Sequence, residues 1–178
     1  MNNNIGVAVL DTGIYKHIDF GNRIIAFKDF INNRAFPYDD SGHGTHVSGI
    51  IAGDGYASHG RFKGIAPMSQ IISVKVLDSN GNGNIENVIK GTKWIINNKD
   101  IYNIKIVNIS FGTTHNPSSG TSMSAPIVSG AIARVLNNHD YTPDEIRQRL
   151  KKCCHKVNLA TNQQGWGHLD IIQFIKGP

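Results

Sequence analysis

Short apolar runs of strand length alternate along this chain with segments whose apolar residues recur at helical spacing. Ile5 to Leu10 is a continuous apolar run that stops at Asp11, the pattern of a strand buried on both faces. Ile24 to Phe30, Ile71 to Leu77 and Ile104 to Phe111 read as further strands. Between them, His43 to Ala52 carries Val47, Ile50 and Ile51 at helical spacing and closes on Gly53, while Ile85 to Asn97 repeats Val88, Ile89, Trp94, Ile95 and Ile96. Ser122 to Leu136 reads as a helix of small residues. Thr142-Pro143-Asp144-Glu145 starts another that runs to about Lys152, with a capping hydroxyl, proline at the first position and early acids. A short helix follows near Leu169 to Ile175. Strands separated by helices predict an α/β fold, a mostly parallel sheet flanked by helices on both faces.

With 178 residues and neither an internal repeat nor a Pro/Ser-rich linker, the expectation is one domain over residues 1–178. No apolar run approaches the roughly 20 residues of a membrane span. Lys and Arg outnumber Asp and Glu by 18 to 13, but apart from Lys151 and Lys152 they are dispersed. A nucleic-acid surface would gather them on one face, so no nucleic-acid partner is expected. Cys153 and Cys154 are sequence neighbours, which a bridge would strain, so they read as free thiols. Met1 to Leu10 shows no basic stretch followed by a long apolar one. Both features set the expectation of a cytoplasmic protein.

Three segments depart from scaffold chemistry. Val7-Ala8-Val9-Leu10-Asp11-Thr12-Gly13 delivers a carboxylate at the carboxyl end of a strand, the edge where sites assemble in open α/β sheets. Taken alone, a solvated turn aspartate explains it better. Asp39-Asp40-Ser41-Gly42-His43-Gly44-Thr45-His46-Val47-Ser48-Gly49 opens a helix with a histidine between two glycines, which reads as room for a substrate backbone. Metal ligation by His43 and His46, three apart, is the other reading, but the wider Cys/His pattern of a zinc site is missing. Ser119-Gly120-Thr121-Ser122-Met123-Ser124-Ala125-Pro126 puts a serine at a predicted helix start, where free N–H groups favour an oxyanion. A plain helix cap accounts for that segment equally well. Together, however, Asp11, His43 and Ser122 supply a carboxylate, a base and a nucleophile.

The motifs VAVLDTG, SGHGTHVSGIIAG and GTSMSAP resemble the three signatures of the subtilisin-like serine proteases, the peptidase S8 family. Their order, Asp, His, Ser, is the order known from subtilisin itself. The resemblance implies Ser122 as nucleophile, His43 as general base and then acid, and Asp11 as the residue orienting His43. It also implies a polypeptide substrate, with no cofactor required for the chemistry. Gly64-Ile65-Ala66-Pro67 and Ile72 to Leu77 look like the family's approach to its substrate-binding strand. Gly81, Asn82 and Gly83 would then pair with an extended peptide, with Ser110, Phe111 and Gly112 lining the other side of the cleft.

Asp78 to Ile85 imitates the start of an EF-hand loop, but its twelfth position is Ile89 instead of glutamate, and a Gly/Asn turn fits better. Asp19 resembles one family calcium ligand, yet the loop after Gly53 differs by an insertion around Asp54 to His59. A structural calcium is compatible with the family but unsupported here, and no metal site is assigned.

The larger departure from the family is in spacing. Asp11 and His43 lie 32 residues apart, about the spacing in subtilisin, but His43 and Ser122 lie only 79 apart, against about 157 there. The deficit of roughly 78 residues falls between Gly112 and Ser119. In the family that region holds further strands, a helix, a wall of the specificity pocket and the Asn that donates to the oxyanion. Asn116 is the nearest asparagine, but no family motif surrounds it. The expected function is a serine endopeptidase working through an acyl-enzyme on Ser122. The alternative is a shortened, catalytically impaired or inactive protein that keeps the triad. Missing strands would uncover an edge of the sheet, so self-association through that edge is a further expectation.

Overall fold

The computed structural model describes residues 4–112 and 119–177, without the side chains of residues 119–121. The first apolar run forms strand β1 (Gly6–Asp11), in which every residue is buried. Strands β2 (Ile24–Asp29), β3 (Gln70–Lys75) and β4 (Ile104–Ile109) join it in one sheet ordered β2-β3-β1-β4. All three pairings are parallel. In register, Asp11 at the end of β1 sits beside Lys75 at the end of β3.

Helices cover both faces, as the alternation of elements requires. Helix α1 (His43–Ala52) and helix α3 (Ser119–Leu136) lie on one face, where Val7, Val9, Val47, Ile51, Ile71 and Ala133 share a core. Helix α2 (Ile85–Asn98) covers the other, over Ala8, Leu10, Ile72, Val74 and Val76. Gly91 of α2 allows this approach, since a Cβ there would stand 2.9 Å from Val76 Cγ1 and 3.1 Å from Val74 Cγ1. Helix α4 (Pro143–Lys152) carries the expected cap: Glu145 N donates to Thr142 Oγ1, and Thr142 N donates to Glu145 Oε2. Near the C-terminus, strands β5 (Cys154–His155) and β6 (His168–Leu169) form an antiparallel pair around the short helix α5 (Thr161–Gln164), before helix α6 (Ile171–Lys176). The sequence reading missed this pair, because two-residue strands leave no period to detect. Ala131, Val135, Ile146, Cys153 and Phe174 join α3, α4 and α6 in a third core. Both cysteines are free thiols.

The predicted elements match in kind, with two informative shifts. Helix α3 begins at Ser119, three residues before the predicted start, so Ser122 lies within its first turn instead of opening it. Strand β4 stops at Ile109, leaving Ser110, Phe111 and Gly112 as its continuation into the loop. Residues 113–118, the place of the expected deficit and of Asn116, lie outside the described residues.

Among the described residues strand β4 ends the sheet, and its residues alternate between buried and exposed, with Val107 at 44% and Ile109 at 46% exposure. On α2, Ile85, Ile89 and Ile96 are also exposed, and their spacing places them on one side of the helix. No helix among the described residues is long and apolar enough to cross a membrane. The close seat of α2 makes Gly91→Val overpack the interface with β3, an expected loss of about 1–3 kcal/mol. A urea midpoint equal to that of the unsubstituted chain would show that α2 does not rest on those strands.

Candidate active site

In a parallel sheet the carboxyl ends of all strands share one edge, and Asp11 and His43 meet there. Asp11 ends β1 and is 0% exposed. Its Oδ1 accepts from Thr12 N at 2.8 Å and lies 2.7 Å from His43 Nδ1, across 32 residues of sequence. Asp11 Oδ2 is buried with no hydrogen-bond partner among the described residues. The carboxylate therefore depends on Thr12 and His43 for compensation. With its Nδ1–H directed at Asp11, His43 leaves Nε2 as the free basic nitrogen.

The glycines around His43 act differently from the expectation of substrate access. Gly42, the cap of α1, has φ +89° and open space around it, so its conformation is what calls for glycine. Gly44 is buried, and a Cβ there would collide with the carbonyl of Gly13. Its missing side chain makes room for the turn after Asp11, not for a substrate. His46 is exposed. No group of three or more His, Cys, Asp or Glu among the described residues is placed to hold a metal.

Ser122 is half-buried in the first turn of α3. Two contacts fix α3 against its neighbours. Gly130 brings it close to α1 and the following loop, a Cβ there falling 3.0 Å from Ile65 Cβ and 3.5 Å from Ile51 Cα. On the β4 side, Ser129 Oγ donates to Asn108 Oδ1 at 2.9 Å, and Asn108 Nδ2 donates to Ser110 Oγ at 2.6 Å. This buried polar chain ties the end of β4 to the helix that carries Ser122.

The two predicted substrate segments leave β3 and β4, the strands on either side of β1. Gly81, Asn82 and Gly83 lie in an exposed turn in which Asp78 Oδ1 accepts from Asn80 N and Asn82 N, each at 2.9 Å, and Gly81 has φ +78°. The EF-hand imitation is thus a turn joining a strand to a helix. Ser110 is buried, Phe111 half-buried and Gly112 exposed. Asp19 is engaged within the protein, its Oδ1 accepting from Ala57 N at 2.7 Å, and Asp54 Oδ2 lies 3.3 Å from Arg23 Nη2.

Two groups beside the site escaped the sequence reading. Lys75 is 0% exposed, and its Nζ donates to Thr12 O at 2.5 Å, Asp40 Oδ1 at 2.7 Å and Leu77 O at 2.8 Å, with the Tyr38 ring 5.1 Å away. Asp39 accepts hydrogen bonds from both the turn after β1 and the start of α1. The only signal in the sequence was a lysine interrupting an otherwise apolar strand, which asks for buried acceptors.

The hydrogen bond to Asp11 raises the pKa of His43, burial opposes it, and the charges of Asp11 and Asp39 add to the rise. A pKa raised on folding means that the protonated ring favours the folded chain. That stabilisation is complete below about pH 6.5, the ordinary imidazole value, and is lost as pH climbs through the raised value. Asp11→Asn should therefore lower the His43 midpoint followed by ring-proton NMR and remove this part of the pH dependence of melting. An unshifted midpoint would contradict the pairing.

The sequence model of the subtilase family matches residues 2–119 and, separately, residues 113–167. Two matches to one family that meet just after Gly112 are what internal shortening produces. Over 92 residues the chain is 48% identical to serine protease AprX of Bacillus subtilis, covering 52% of this chain and 21% of that protein. It is 42% identical over 117 residues to a thermostable alkaline protease of Halalkalibacterium halodurans, covering 66% of this chain and 30% of that protein. The chain thus spans less than a third of either relative. The crystal structure of a cold adapted subtilisin-like serine proteinase shares the fold with a TM-score of 0.72 at 20% identity, over 95% of this chain and 88% of that one. Because the two matched stretches together run from residue 2 to residue 167, this chain, internally shortened, belongs to the subtilase family.

Proposed function

We propose that the chain is a serine endopeptidase in which Asp11, His43 and Ser122 form the catalytic group. The observation that carries this reading is the 2.7 Å contact of Asp11 Oδ1 with His43 Nδ1, on a helix that packs against the one whose first turn holds Ser122. His43 Nε2 takes the Ser122 hydroxyl proton as the oxygen attacks a peptide carbonyl. The C–N bond then breaks, the amine leaves with that proton, and an ester remains on Ser122. Water, deprotonated by the same nitrogen, attacks the ester and frees Ser122. Asp11 holds the imidazole in the tautomer this sequence needs and stabilises its charged form. The substrate backbone lies between Gly81–Gly83 and Ser110–Gly112, where main-chain pairing gives affinity with little demand on sequence. The chemistry needs no cofactor.

A fluorophosphonate probe should label Ser122, with labelling lost in Ser122→Ala and His43→Ala. Equal labelling of the unsubstituted and Ser122→Ala chains would overturn the mechanism.

A second reading, a shortened member with impaired turnover, is favoured by the exposed outer flank of β4. In subtilisin, losing one side-chain oxyanion donor costs about 10²–10³-fold in turnover. If this chain lacks such a donor, an inserted family-like segment between Gly112 and Ser119 should restore activity on that scale. No gain in a folded protein would exclude the donor as the deficit. We also propose that two copies pair through β4, whose backbone complements another strand and whose Val107 and Ile109 are apolar. Sedimentation should show a concentration-dependent dimer that Val107→Lys abolishes. A monomer at every concentration would refute the pairing.

A further inference from the structure

The carboxylate of Asp39 bridges the segments that bear Asp11 and His43. Oδ1 accepts from Thr12 Oγ1 at 2.8 Å, Gly42 N at 2.9 Å and Ser41 N at 3.2 Å. Oδ2 accepts from Thr45 N at 2.8 Å and Thr45 Oγ1 at 2.6 Å. Thr12 Oγ1 in turn accepts from Gly44 N at 2.9 Å. One side chain thus bonds the residue following Asp11 and residues on both sides of His43.

Two features make this more than loop structure. Helix α1 has a glycine cap with no side-chain acceptor, so Asp39 supplies the acceptor that a capping residue would normally bring. Thr12 is also held at a second point. Its hydroxyl donates to Asp39, while its carbonyl accepts from buried Lys75, whose Nζ also donates to the neighbouring Asp40. The Asp39–Asp40 pair therefore fixes the turn after Asp11 from two directions, and Gly44 sits against the Gly13 backbone with no space between.

Resting on the reading of Asp11, His43 and Ser122 as the catalytic group, we propose that Asp39 is a positioning residue. It sets the distance and angle of the Asp11–His43 hydrogen bond without touching substrate. Burial works against charge on Asp39, but hydrogen bonds from Thr45, Gly42 and Thr12 prevail and hold its carboxyl below the ordinary value. The clamp thus stays ionised while His43 titrates.

The test uses the full chain with ¹⁵N-labelled histidine and two readouts. One is the downfield His43 Nδ1 proton bonded to Asp11, and the other is the rate of fluorophosphonate labelling at Ser122. Asp39→Ala should lose the proton signal and slow labelling about a hundredfold, the scale of an ångström-sized misplacement. Asp39→Asn keeps one acceptor oxygen but turns an NH2 toward donors that faced the other, and should recover only part of both. Thr12→Val removes the bridging hydroxyl and should give the same loss in weaker form, which keeps the test open if Asp39→Ala does not fold. A folded Asp39→Ala chain with both readouts unchanged would overturn the proposal, as would Thr12→Val leaving both unchanged. An unsubstituted chain that shows the proton signal but never labels would count against Ser122 as nucleophile, while the proton signal in the variants would still decide the role of Asp39.

Discussion

A carboxylate at the end of a fully buried strand is costly unless something compensates its charge. Asp11 occupies that position, and much of the surrounding structure is arranged to supply the compensation. The Thr12 amide and the His43 ring face Oδ1, and buried Lys75 sits beside Asp11 in register. These contacts can form only if β1, β3 and the start of α1 meet at one point. The parallel sheet brings the strand ends to a common edge, and Gly44 lets the helix approach within contact of the Gly13 backbone. A bulkier residue at position 44 would push His43 away from Asp11 by acting on the backbone and not on the imidazole.

The same economy shows at the other end of the site. Helix α3, whose first turn holds Ser122, packs against both α1 and β4. Small residues give the approach at Gly130, and the Ser129–Asn108–Ser110 chain fixes the helix against the strand. Among the described residues no further strand pairs with β4, and alternate residues of that strand are half exposed. The strands around Asp11 are well packed; among the described residues the outer strand β4 is half exposed. Shortening has therefore fallen on the part of the fold that contributes least to the Asp11–His43 contact.

Much of this was legible in the order of the residues. Buried parallel strands announce themselves as unbroken apolar runs, and β1 with both faces covered is such a case. The Thr142 start of α4 followed from capping chemistry that acts over three residues. By contrast, the start of α3 was placed three residues late, because small polar residues serve both as caps and as first-turn residues. The β5–β6 pair was invisible, since its pairing depends on chain return and not on local period. Gly44 was seen as important for the wrong reason: the sequence shows that a side chain is missing, not which atoms fill the space.

By itself, the amino-acid sequence determined the α/β class, the three motif segments and the chemical types they carry, because these depend on local period and on residue identity. It also showed that the stretch between His43 and Ser122 is short. Only the tertiary structure decided which polar groups act together. Asp39 and Asp40 look like any solvated pair of loop acids until Thr12, Thr45 and Lys75 arrive from up to 35 residues away. Lys75 looks like a misplaced charge until its three acceptors are seen. A hydrogen bond depends on position in space to within tenths of an ångström, and sequence separation carries no record of that distance.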